Sequence, residues 1–327
     1  MARALRFGVM RPRIFVDGSV GTTGLRIREL LAGRDDLELS ALGEAARKDA
    51  EARREALRAA DLAVLCLPDD AAREAAAWTD DAPVRLLDAS TAHRVTEGWV
   101  YGLPELEPAQ RDAIRGARRV SNPGCWPTAV LLLVRPLVDA GALAPDAPLA
   151  VHGLSGYSGG GKPLIERWEE TARALLALRY EAPYALGARH KHVPEMMRWG
   201  RLAAEPQFVP AVGPFRCGMR VEVPLHAAHV RGDHDGKSIW ETLHERYRGE
   251  RFVRVAPLAD AASLDERSFD PESCNDTNRI DLHVVPHASG HVLLVALLDN
   301  LGKGAAGAAV QNLNRMLGID EARGLRA

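Results

Sequence analysis

The sequence predicts an α/β fold, with a parallel sheet first and then a region built on a mixed or antiparallel sheet. Short apolar segments that resemble strands alternate with helical segments over the first third of the chain. Such alternation is typical of a parallel sheet covered by helices on both faces. The later apolar segments lack this alternation. With 327 residues, 46% of them hydrophobic, the chain can bury the core of one large domain or two ordinary ones.

The elements of the first region follow one another in a regular order. We expect strands over Arg13–Asp17, Leu37–Ala41, Leu62–Leu67 and Val84–Asp88. The expected helices between them cover Thr22–Ala32, Lys48–Ala59 and Asp70–Ala77. Gly33 is a typical stop for the first helix. Cys66 falls in the third strand, where we expect it to be a core residue.

The pattern changes after Cys125, which places a domain boundary near this residue. Pro127 suits the first turn of a helix that continues to about Gly141. Residues 152–162 are rich in glycine and predict a loop, and Pro163 then begins a helix that reaches about Leu178. The remaining expected elements are a helix that begins at Pro194, strands over Met219–Leu225, Arg279–Val285 and His291–Leu298, and an Ala/Gly-rich helix over Lys303–Leu317.

Charge and cysteine usage narrow the function classes. The net charge is −2, which gives no overall attraction to nucleic acid or to an anionic membrane. The longest apolar stretches, Ala129–Val134 and Val292–Leu298, are too short to span a membrane, and residues 1–10 contain no apolar run of signal-peptide length. The four cysteines are far apart and form no Cys-x-x-Cys pair. We therefore expect a cytoplasmic protein in a reducing compartment.

The segment Ser121-Asn122-Pro123-Gly124-Cys125 places one cysteine at the start of a predicted helix. Backbone N–H groups there are unpaired and carry partial positive charge, so a thiol held among them loses its proton more easily. The same N–H groups could hold an oxyanion formed when the sulfur attacks an acyl carbon. The alternative is a buried, inert cysteine, against which the Asn-Pro-Gly turn argues. Cys125 is thus the predicted nucleophile.

A glycine-rich turn between the first strand and the first helix predicts a dinucleotide site. It has the spacing Gly-x-x-Gly-x-x-Gly, and the residues expected to bind the cofactor are Gly18, Ser19, Gly21, Thr22, Thr23 and Gly24. An acidic residue at the end of the second strand would favour NAD. Ser40 stands there instead, and Arg47 and Lys48 follow. A hydroxyl and two cations suit the 2′-phosphate of NADP. The alternative is that Arg47 and Lys48 are a solvated helix start.

The segment His190-Lys191-His192-Val193-Pro194-Glu195 supplies candidate acid–base residues. Histidine can act as acid or base near neutral pH, and a carboxylate such as Glu195 can orient it. Ligation of a metal by the same side chains is the rival interpretation, but no other cluster with ligand spacing supports it. We therefore expect His190, His192 and Glu195 to be catalytic and expect no metal.

The glycine-rich stretch offers a second anion site. Its backbone amides could cradle a phosphate together with Ser155, Gly156, Ser158 and Lys162. The alternative is a flexible linker. A thiol, a histidine, a dinucleotide loop and a phosphate loop together indicate one reaction class, in which a thiolate attacks an acyl phosphate, phosphate leaves, and the thioester is reduced by hydride.

These motifs resemble the N-acetyl-gamma-glutamyl-phosphate reductase family, in particular its shorter form. The matching segments extend over nearly the whole chain in the family's order: residues 17–24, 101–106, 121–125, 153–162, 190–195 and 299–312. The last segment is shared with aspartate-semialdehyde dehydrogenases, whereas the histidine motif and Tyr-Gly-Leu-Pro-Glu favour the acetylglutamyl family. One departure is that the residues before Arg13 exceed what the family fold needs.

The resemblance implies an enzyme of arginine biosynthesis that reduces N-acetyl-L-glutamyl 5-phosphate with NADPH. It implies Cys125 as nucleophile and one of His190 and His192 as acid–base, without separating them. The implied fold is a Rossmann-type parallel-sheet domain, residues 1–124 plus 300–327, with an inserted α+β catalytic and oligomerisation domain, residues 125–299. The returning tail would bring Asn300, Lys303 and Gly304 to the cofactor. A homo-oligomer, dimer or tetramer, is also implied.

Three alternatives remain open at this point. The chain could be another acyl-phosphate reductase, acting on aspartyl phosphate or on a carrier-bound aminoadipyl phosphate. It could be a cysteine hydrolase with Cys125, a histidine and Glu195 as its triad, which would leave the glycine loop and the tail without a role. It could also be a dinucleotide sensor, which would leave Cys125 and both histidines unexplained.

Overall fold

The computed structural model describes residues 11–327 and contains two sheets. Residues 1–10 lie outside the described part, and with them most of the segment before Arg13. The first sheet has six strands, all parallel: β1 (Arg13–Asp17), β2 (Glu38–Ser40), β3 (Leu62–Leu65), β4 (Arg85–Asp88), β5 (Val100–Tyr101) and β6 (Arg119–Ser121). Their spatial order is β2-β1-β3-β4-β6-β5.

Helices connect the parallel strands, as the alternation predicts. They are α1 (Thr22–Leu31), α2 (Ala50–Ala59), α3 (Asp69–Ala77) and α4 (Gln110–Gly116). The predicted strands and helices of this region are confirmed within a few residues, whereas β5, α4 and β6 have no counterpart in the sequence prediction. The strand order reverses next to β1, since β2 and β3 lie on its opposite sides. In open parallel sheets this reversal leaves a crevice at the carboxyl ends of the strands, where cofactors bind.

Helix α5 (Cys125–Asp139) joins the two halves of the molecule. Pro127 lies in its first turn, where no N–H is needed. All residues from Trp126 to Leu137 are buried, so the helix forms the centre of the second core. It packs against the second sheet and against α7 (Val193–Gly200) and α8 (Gly236–Arg246). The remaining helix of this region is α6 (Gly161–Glu169).

The second sheet is mixed and has seven strands. These are β7 (Ala150–Gly156), β8 (Ala182–Pro183), β9 (Gln207–Gly213), β10 (Met219–Leu225), β11 (Val253–Val255), β12 (Ile280–Pro286) and β13 (Val292–Leu298). Their order is β11-β12-β13-β10-β7-β9-β8, with parallel pairing only between β7 and β9 and between β11 and β12. The prediction of an α/β fold with a parallel sheet and a second mixed sheet is confirmed.

Two sequence predictions in the second region are wrong. Residues 152–156 belong to strand β7 and not to a loop, because Gly153 leaves space for a neighbour: a Cβ there would lie 2.3 Å from the ring of Trp126. The helix expected to reach Leu178 ends at Glu169. The chain then forms two short 3₁₀ turns around Ala174, whose φ of 48° is left-handed.

The chain returns to the first sheet at its end. A π-helical turn, Gly302–Ala306, leads into α9 (Gly307–Met316), which is shorter than predicted. Side chains of α9 such as Val310 and Leu313 share a core with Ile14 and Val16 of β1. This distribution of elements supports the proposed division into residues 1–124 plus 300–327 and residues 125–299. Within residues 11–327, no helix has both the length and the hydropathy needed to cross a membrane.

Candidate active site

Cys125 lies between two cavities at the junction of the two sheets. It is the first residue of α5, directly after the turn that follows β6. A cavity of about 420 Å³ on one side is walled by the second sheet and by α6. A cavity of about 280 Å³ on the other side is lined by Thr22 and Thr23 of α1 and by Asn300 and Gly304. The thiol can therefore meet ligands that approach from both sides.

The thiol of Cys125 is more basic than its position at a helix start predicts. Burial raises the pKa of Cys125 to about 11, although the Arg94 cation and the backbone N–H of Trp126 act in the opposite direction. The helix start thus lowers the pKa of the thiol as predicted, but burial outweighs this effect. Because the thiol holds its proton at neutral pH, a neighbouring base has to accept it when the substrate binds.

A buried carboxylate fixes the turn that precedes Cys125. Glu195 of α7 accepts hydrogen bonds from Nη1 of Arg94 (2.9 Å), from the hydroxyl of Tyr101 (2.9 Å) and from the backbone N–H of Gly124 (3.0 Å). Its side chain is 2% exposed and contacts neither cavity. Glu195 is therefore not placed to orient a histidine or to donate a proton, as the sequence analysis expected, and it positions the nucleophile's turn instead.

The two histidines have different surroundings. The backbone N–H of His192 donates to Nδ1 of His190 (3.2 Å), so the neutral ring of His190 carries its proton on Nε2, 3.4 Å from the hydroxyl of Tyr184. That hydroxyl also accepts a hydrogen bond from Nε1 of Trp126 (3.2 Å). The ring of His190 is thus engaged at both nitrogens.

His192 is closer to the nucleophile's turn. A Cβ on Gly124 would lie 2.9 Å from Nε2 of His192. His192 lines both cavities. Nδ1 of His192 is buried without a hydrogen-bond partner among residues 11–327. Burial, followed by the nearby Arg94 cation, lowers the pKa of His192 well below its ordinary value. The ring is therefore neutral at neutral pH and has a free nitrogen with which to accept a proton.

The dinucleotide loop adopts the tight turn that its glycines predict. Gly18 has a φ of 78°, and a Cβ there would lie 2.2 Å from the backbone oxygen of Cys66. A Cβ on Gly24 would lie 2.6 Å from the backbone oxygen of Gly18, and the N–H of Gly21 donates to that oxygen (3.2 Å). Only glycine fits at the first and last of these positions, which brings α1 close to the crevice.

A cavity of about 370 Å³ opens beside this loop, at the carboxyl end of β1. It is lined by Gly18 and Ser19 and by three basic residues: Arg47, Lys48 and Arg53. Arg53, which the sequence analysis missed, forms an ion pair with the buried Asp17 (3.0 Å). Thr22 and Thr23 lie further along, beside Cys125. The loop, the cavity and its cations fit the pyrophosphate and ribose of a dinucleotide.

Three residues expected to bind ligands are engaged elsewhere. The hydroxyl of Ser40 donates to the backbone oxygen of Ile14 (3.2 Å), and its side chain does not line the cavity of Arg47 and Lys48. Lys162 is exposed, lies 3.6 Å from Glu166, and lines a separate cavity beside α1.

The third of these residues is Lys303, which is fully buried. Its ammonium donates to Glu105 (2.8 Å) and to Gln311 (2.7 Å). The Lys303 side chain is thus engaged within the protein, and its expected contact with a cofactor stays a prediction. Its neighbour Gly304 does approach the site, since a Cβ there would lie 2.8 Å from Cβ of Cys125.

The remaining residues of the glycine-rich stretch lie around Cys125. Ser155 and Gly156 line the larger cavity and Ser158 the smaller one. The hydroxyl of Ser158 accepts a hydrogen bond from Nδ2 of Asn300 (2.9 Å), which links the stretch to the returning tail. Gly159, Gly160 and Gly161 also line the smaller cavity next to Cys125.

Four side chains of this site were not predicted from the sequence: Arg94, Arg167, Tyr184 and Lys191. Arg94 follows the carboxyl end of β4, the edge at which parallel sheets bind ligands, and this position was a usable signal. Lys191 stands between the two histidines. Arg167 and Tyr184 carry no comparable signal, because the fold of residues 161–184 over the larger cavity is not evident from local patterns.

The two halves of the chain match two family descriptions. Residues 13–115 match "Semialdehyde dehydrogenase, NAD binding domain", and residues 125–300 match "Semialdehyde dehydrogenase, dimerisation domain". Among solved structures, aspartate semialdehyde dehydrogenase II of Vibrio cholerae is similar with a TM-score of 0.71 and 17% identity, covering 94% of this chain and 99% of that chain. The enzyme of Candida albicans, solved with NADP, has a TM-score of 0.66 and 15% identity, covering 95% and 99%. These likenesses concern the fold.

Closer relatives match in sequence over nearly the whole chain. N-acetyl-gamma-glutamyl-phosphate reductase 2 of Nostoc sp. is 47% identical over 320 residues, which are 96% of this chain and 99% of the relative. The protein of that name in Pseudomonas putida is 48% identical over 316 residues, with coverage of 96% and 99%. N-acetyl-gamma-glutamyl-phosphate reductase of Brucella ovis is 48% identical over 311 residues, with coverage of 94% and 100%.

The fold and both matching domains define the class of protein, and the chain belongs to the semialdehyde dehydrogenase family. Within that family it belongs to the N-acetyl-gamma-glutamyl-phosphate reductases, because relatives of that name match nearly end to end at 47% identity or above. The resemblance inferred from the sequence motifs is confirmed.

Proposed function

We propose that this protein reduces N-acetyl-L-glutamyl 5-phosphate to N-acetyl-L-glutamate 5-semialdehyde and phosphate with NADPH, as a step of arginine biosynthesis. The observation that carries the proposal is the position of Cys125 between two cavities. The smaller cavity is lined by Thr22 and Thr23, next to the dinucleotide loop. The larger cavity has no Asp or Glu among its lining residues from the described part of the chain. The names of the relatives reported above support the same substrate.

Cys125 carries the covalent chemistry in this proposal. The neutral ring of His192 takes the proton of the thiol, and the sulfur forms a bond to the acyl carbon while the bond to the phosphate oxygen breaks. Bound NADPH supplies the hydride that reduces the resulting thioester. His192, now protonated, stabilises the oxygen as the carbon becomes tetrahedral, and cleavage of the carbon–sulfur bond releases the aldehyde and frees the sulfur.

The departing phosphate needs cations and N–H donors beside Cys125. We propose that the amides of the stretch Gly159 to Gly161, the hydroxyl of Ser158 and the ammonium of Lys191 hold it, because these five residues line the smaller cavity. Lys191 thereby replaces Lys162, which pairs with Glu166 elsewhere. Arg94 is held by Glu195, so its contribution is a fixed positive charge near the sulfur.

A preference for NADP over NAD is proposed from Arg47 and Lys48. Both line the cavity beside Gly18, and within residues 11–327 the exposed Glu44 is the one carboxylate paired with Arg47. Arg47→Ser combined with Lys48→Ser should raise KM for NADPH roughly 10- to 100-fold, the range of lost charge-assisted hydrogen bonds, and leave KM for NADH nearly unchanged. Arg54→Ser, an exposed change outside that cavity, is the control. Equal losses with both cofactors would contradict the proposal.

The reverse reaction tests the function directly. Purified protein with NADP, phosphate and N-acetylglutamate semialdehyde should produce NADPH absorbance, and Cys125→Ala should abolish it while retaining cofactor affinity. Cys274→Ala, at a buried position that packs against Val295 and Leu297 of β13, should keep turnover. Faster turnover of aspartate semialdehyde would reassign the substrate but not the thioester mechanism. A hydrolase is disfavoured because Glu195 contacts Arg94 and not a histidine.

Two broader predictions accompany this function. We propose a homo-oligomer, since the segment 125–300 matches a description that names dimerisation. We also propose a cytoplasmic location, consistent with four cysteines that are all unpaired in the structure. Sedimentation of the purified protein and its reactivity toward thiol reagents test these two statements.

A further inference from the structure

The larger cavity beside Cys125 has an uneven charge. The ionisable side chains that line it are Cys125, Arg167, Tyr184, His190, Lys191 and His192, with no Asp or Glu among the lining residues from the described part of the chain. Permanent positive charge comes from Arg167 and Lys191. Such a lining favours a ligand that carries negative charge beyond its reacting group.

Arg167 stands out among the basic residues of its segment. Within residues 11–327 its guanidinium has no carboxylate partner, whereas its neighbours are paired: Lys162 with Glu166 (3.6 Å), and Arg216 with Glu169. Arg167 is exposed at the rim and belongs to the last turn of α6. A guanidinium left free at the edge of a catalytic cavity is available for a carboxylate of the ligand.

An apolar wall adjoins Arg167. Trp168 is 4% exposed and stacks on Tyr157, with ring centroids 5.8 Å apart and planes at 7°. The neighbouring members of this wall are Leu164, Leu175, Leu178, Ala182 and Val212. A small methyl group placed there would be removed from water, which is favourable.

We propose that Arg167 binds the α-carboxylate of the acyl substrate and that the adjoining apolar wall receives the methyl of its N-acetyl group. This inference rests on the proposed function and adds the recognition of the substrate's far end. Four carbon–carbon bonds separate the reacting carbon from the α-carboxylate, roughly 5 Å when extended. A cavity of about 420 Å³ that holds both Cys125 and Arg167 has room for that span and for the acetamido group.

Lys191, the other cation of the cavity without a carboxylate partner in the described part of the chain, is placed for a different group. It lines both cavities and stands between His190 and His192, whereas Arg167 lines only the larger one. Lys191 therefore meets the end of the substrate that reacts, where phosphate leaves. The division assigns one cation to each negatively charged end of the substrate.

The test pairs enzyme variants with two aldehydes that differ only in the carboxylate. N-acetylglutamate semialdehyde and 4-acetamidobutanal are oxidised in the reverse reaction by the wild type, Arg167→Met, Arg167→Lys, Lys191→Met and Arg173→Met. Arg173 is the matched control, because it is paired with Glu170 on the same segment and does not line the cavity.

We expect Arg167→Met to lower kcat/KM roughly 10- to 100-fold for N-acetylglutamate semialdehyde, mainly through KM, and less than about 2-fold for 4-acetamidobutanal. Arg167→Lys should regain part of the loss, and Arg173→Met should behave as the wild type. Equal losses with both aldehydes, or a carboxylate-dependent loss only in Lys191→Met, would overturn the assignment of Arg167. A wild type inactive on N-acetylglutamate semialdehyde would instead overturn the proposed function, and this inference with it.

Discussion

His192 and His190 differ in the freedom of their ring nitrogens, which separates their expected kinetic effects. His192→Gln should lower kcat by roughly 10²- to 10⁴-fold, because the proton of the Cys125 thiol loses its acceptor. His190→Gln should mainly raise KM, since its ring supports Tyr184 at the wall of the cavity. Steady-state rates of both variants decide the matter. A larger loss of kcat in His190→Gln would exchange the two roles.

The burial of His190 also predicts how stability depends on pH. Burial, and then the nearby Lys191 cation, lowers the pKa of His190 to about 4. The unfolded chain therefore binds a proton below about pH 6.5 that the folded chain takes up only near pH 4, so stability is lost as pH falls through that window. Urea unfolding at several pH values should show a flatter dependence for His190→Gln. An unchanged slope would contradict this prediction.

At the scale of elements, the dinucleotide loop depends on a close approach of two backbones. Gly18 and Gly33 both have left-handed φ values, 78° and 74°. A Cβ on Gly18 would lie 2.2 Å from the backbone oxygen of Cys66, whereas a Cβ on Gly33 would have no atom within 4 Å. Gly33→Ala should cost about 1 kcal/mol through backbone strain alone. Gly18→Ala should cost clearly more and abolish NADPH binding. Similar costs for both variants, measured by denaturant unfolding and cofactor titration, would show that the loop can relax.

At the scale of the whole molecule, a buried ion pair joins the returning tail to the first domain. Lys303 and Glu105 are both fully buried, and Gln311 donates to the same carboxylate (2.8 Å). Removing the cation leaves Glu105 buried without a charge partner, so Lys303→Met should lower the free energy of unfolding by about 3–5 kcal/mol. The double variant Lys303→Met/Glu105→Leu should regain part of this loss.

An exposed ion pair between the tail and the second domain serves as control. Arg251 and Asp320 lie 3.3 Å apart with both side chains more than half exposed, so Arg251→Met should change stability little. If Lys303→Met instead keeps its stability and loses only NADPH affinity, Lys303 contacts the cofactor as the sequence analysis expected. Thermal unfolding and cofactor titration of the same samples distinguish the two outcomes.

The sequence by itself determined the features that depend on neighbouring residues. The alternation of apolar and helical segments predicted the parallel sheet, because each strand and helix is specified by a local pattern. The glycines of the loop from Gly18 to Gly24 and the turn before Cys125 were recognisable for the same reason. Family motifs then identified the reaction, since they preserve the order of these local segments along the chain.

The tertiary structure alone decided the roles that depend on distant partners. Glu195 bonds Arg94 and Tyr101, which lie 101 and 94 residues away, and Lys303 bonds Glu105 at a separation of 198 residues. The raised pKa of the Cys125 thiol likewise arises from burial and not from its position at a helix start. Partner choice and desolvation are properties of packed surfaces, and no local pattern in the sequence encodes which surfaces meet.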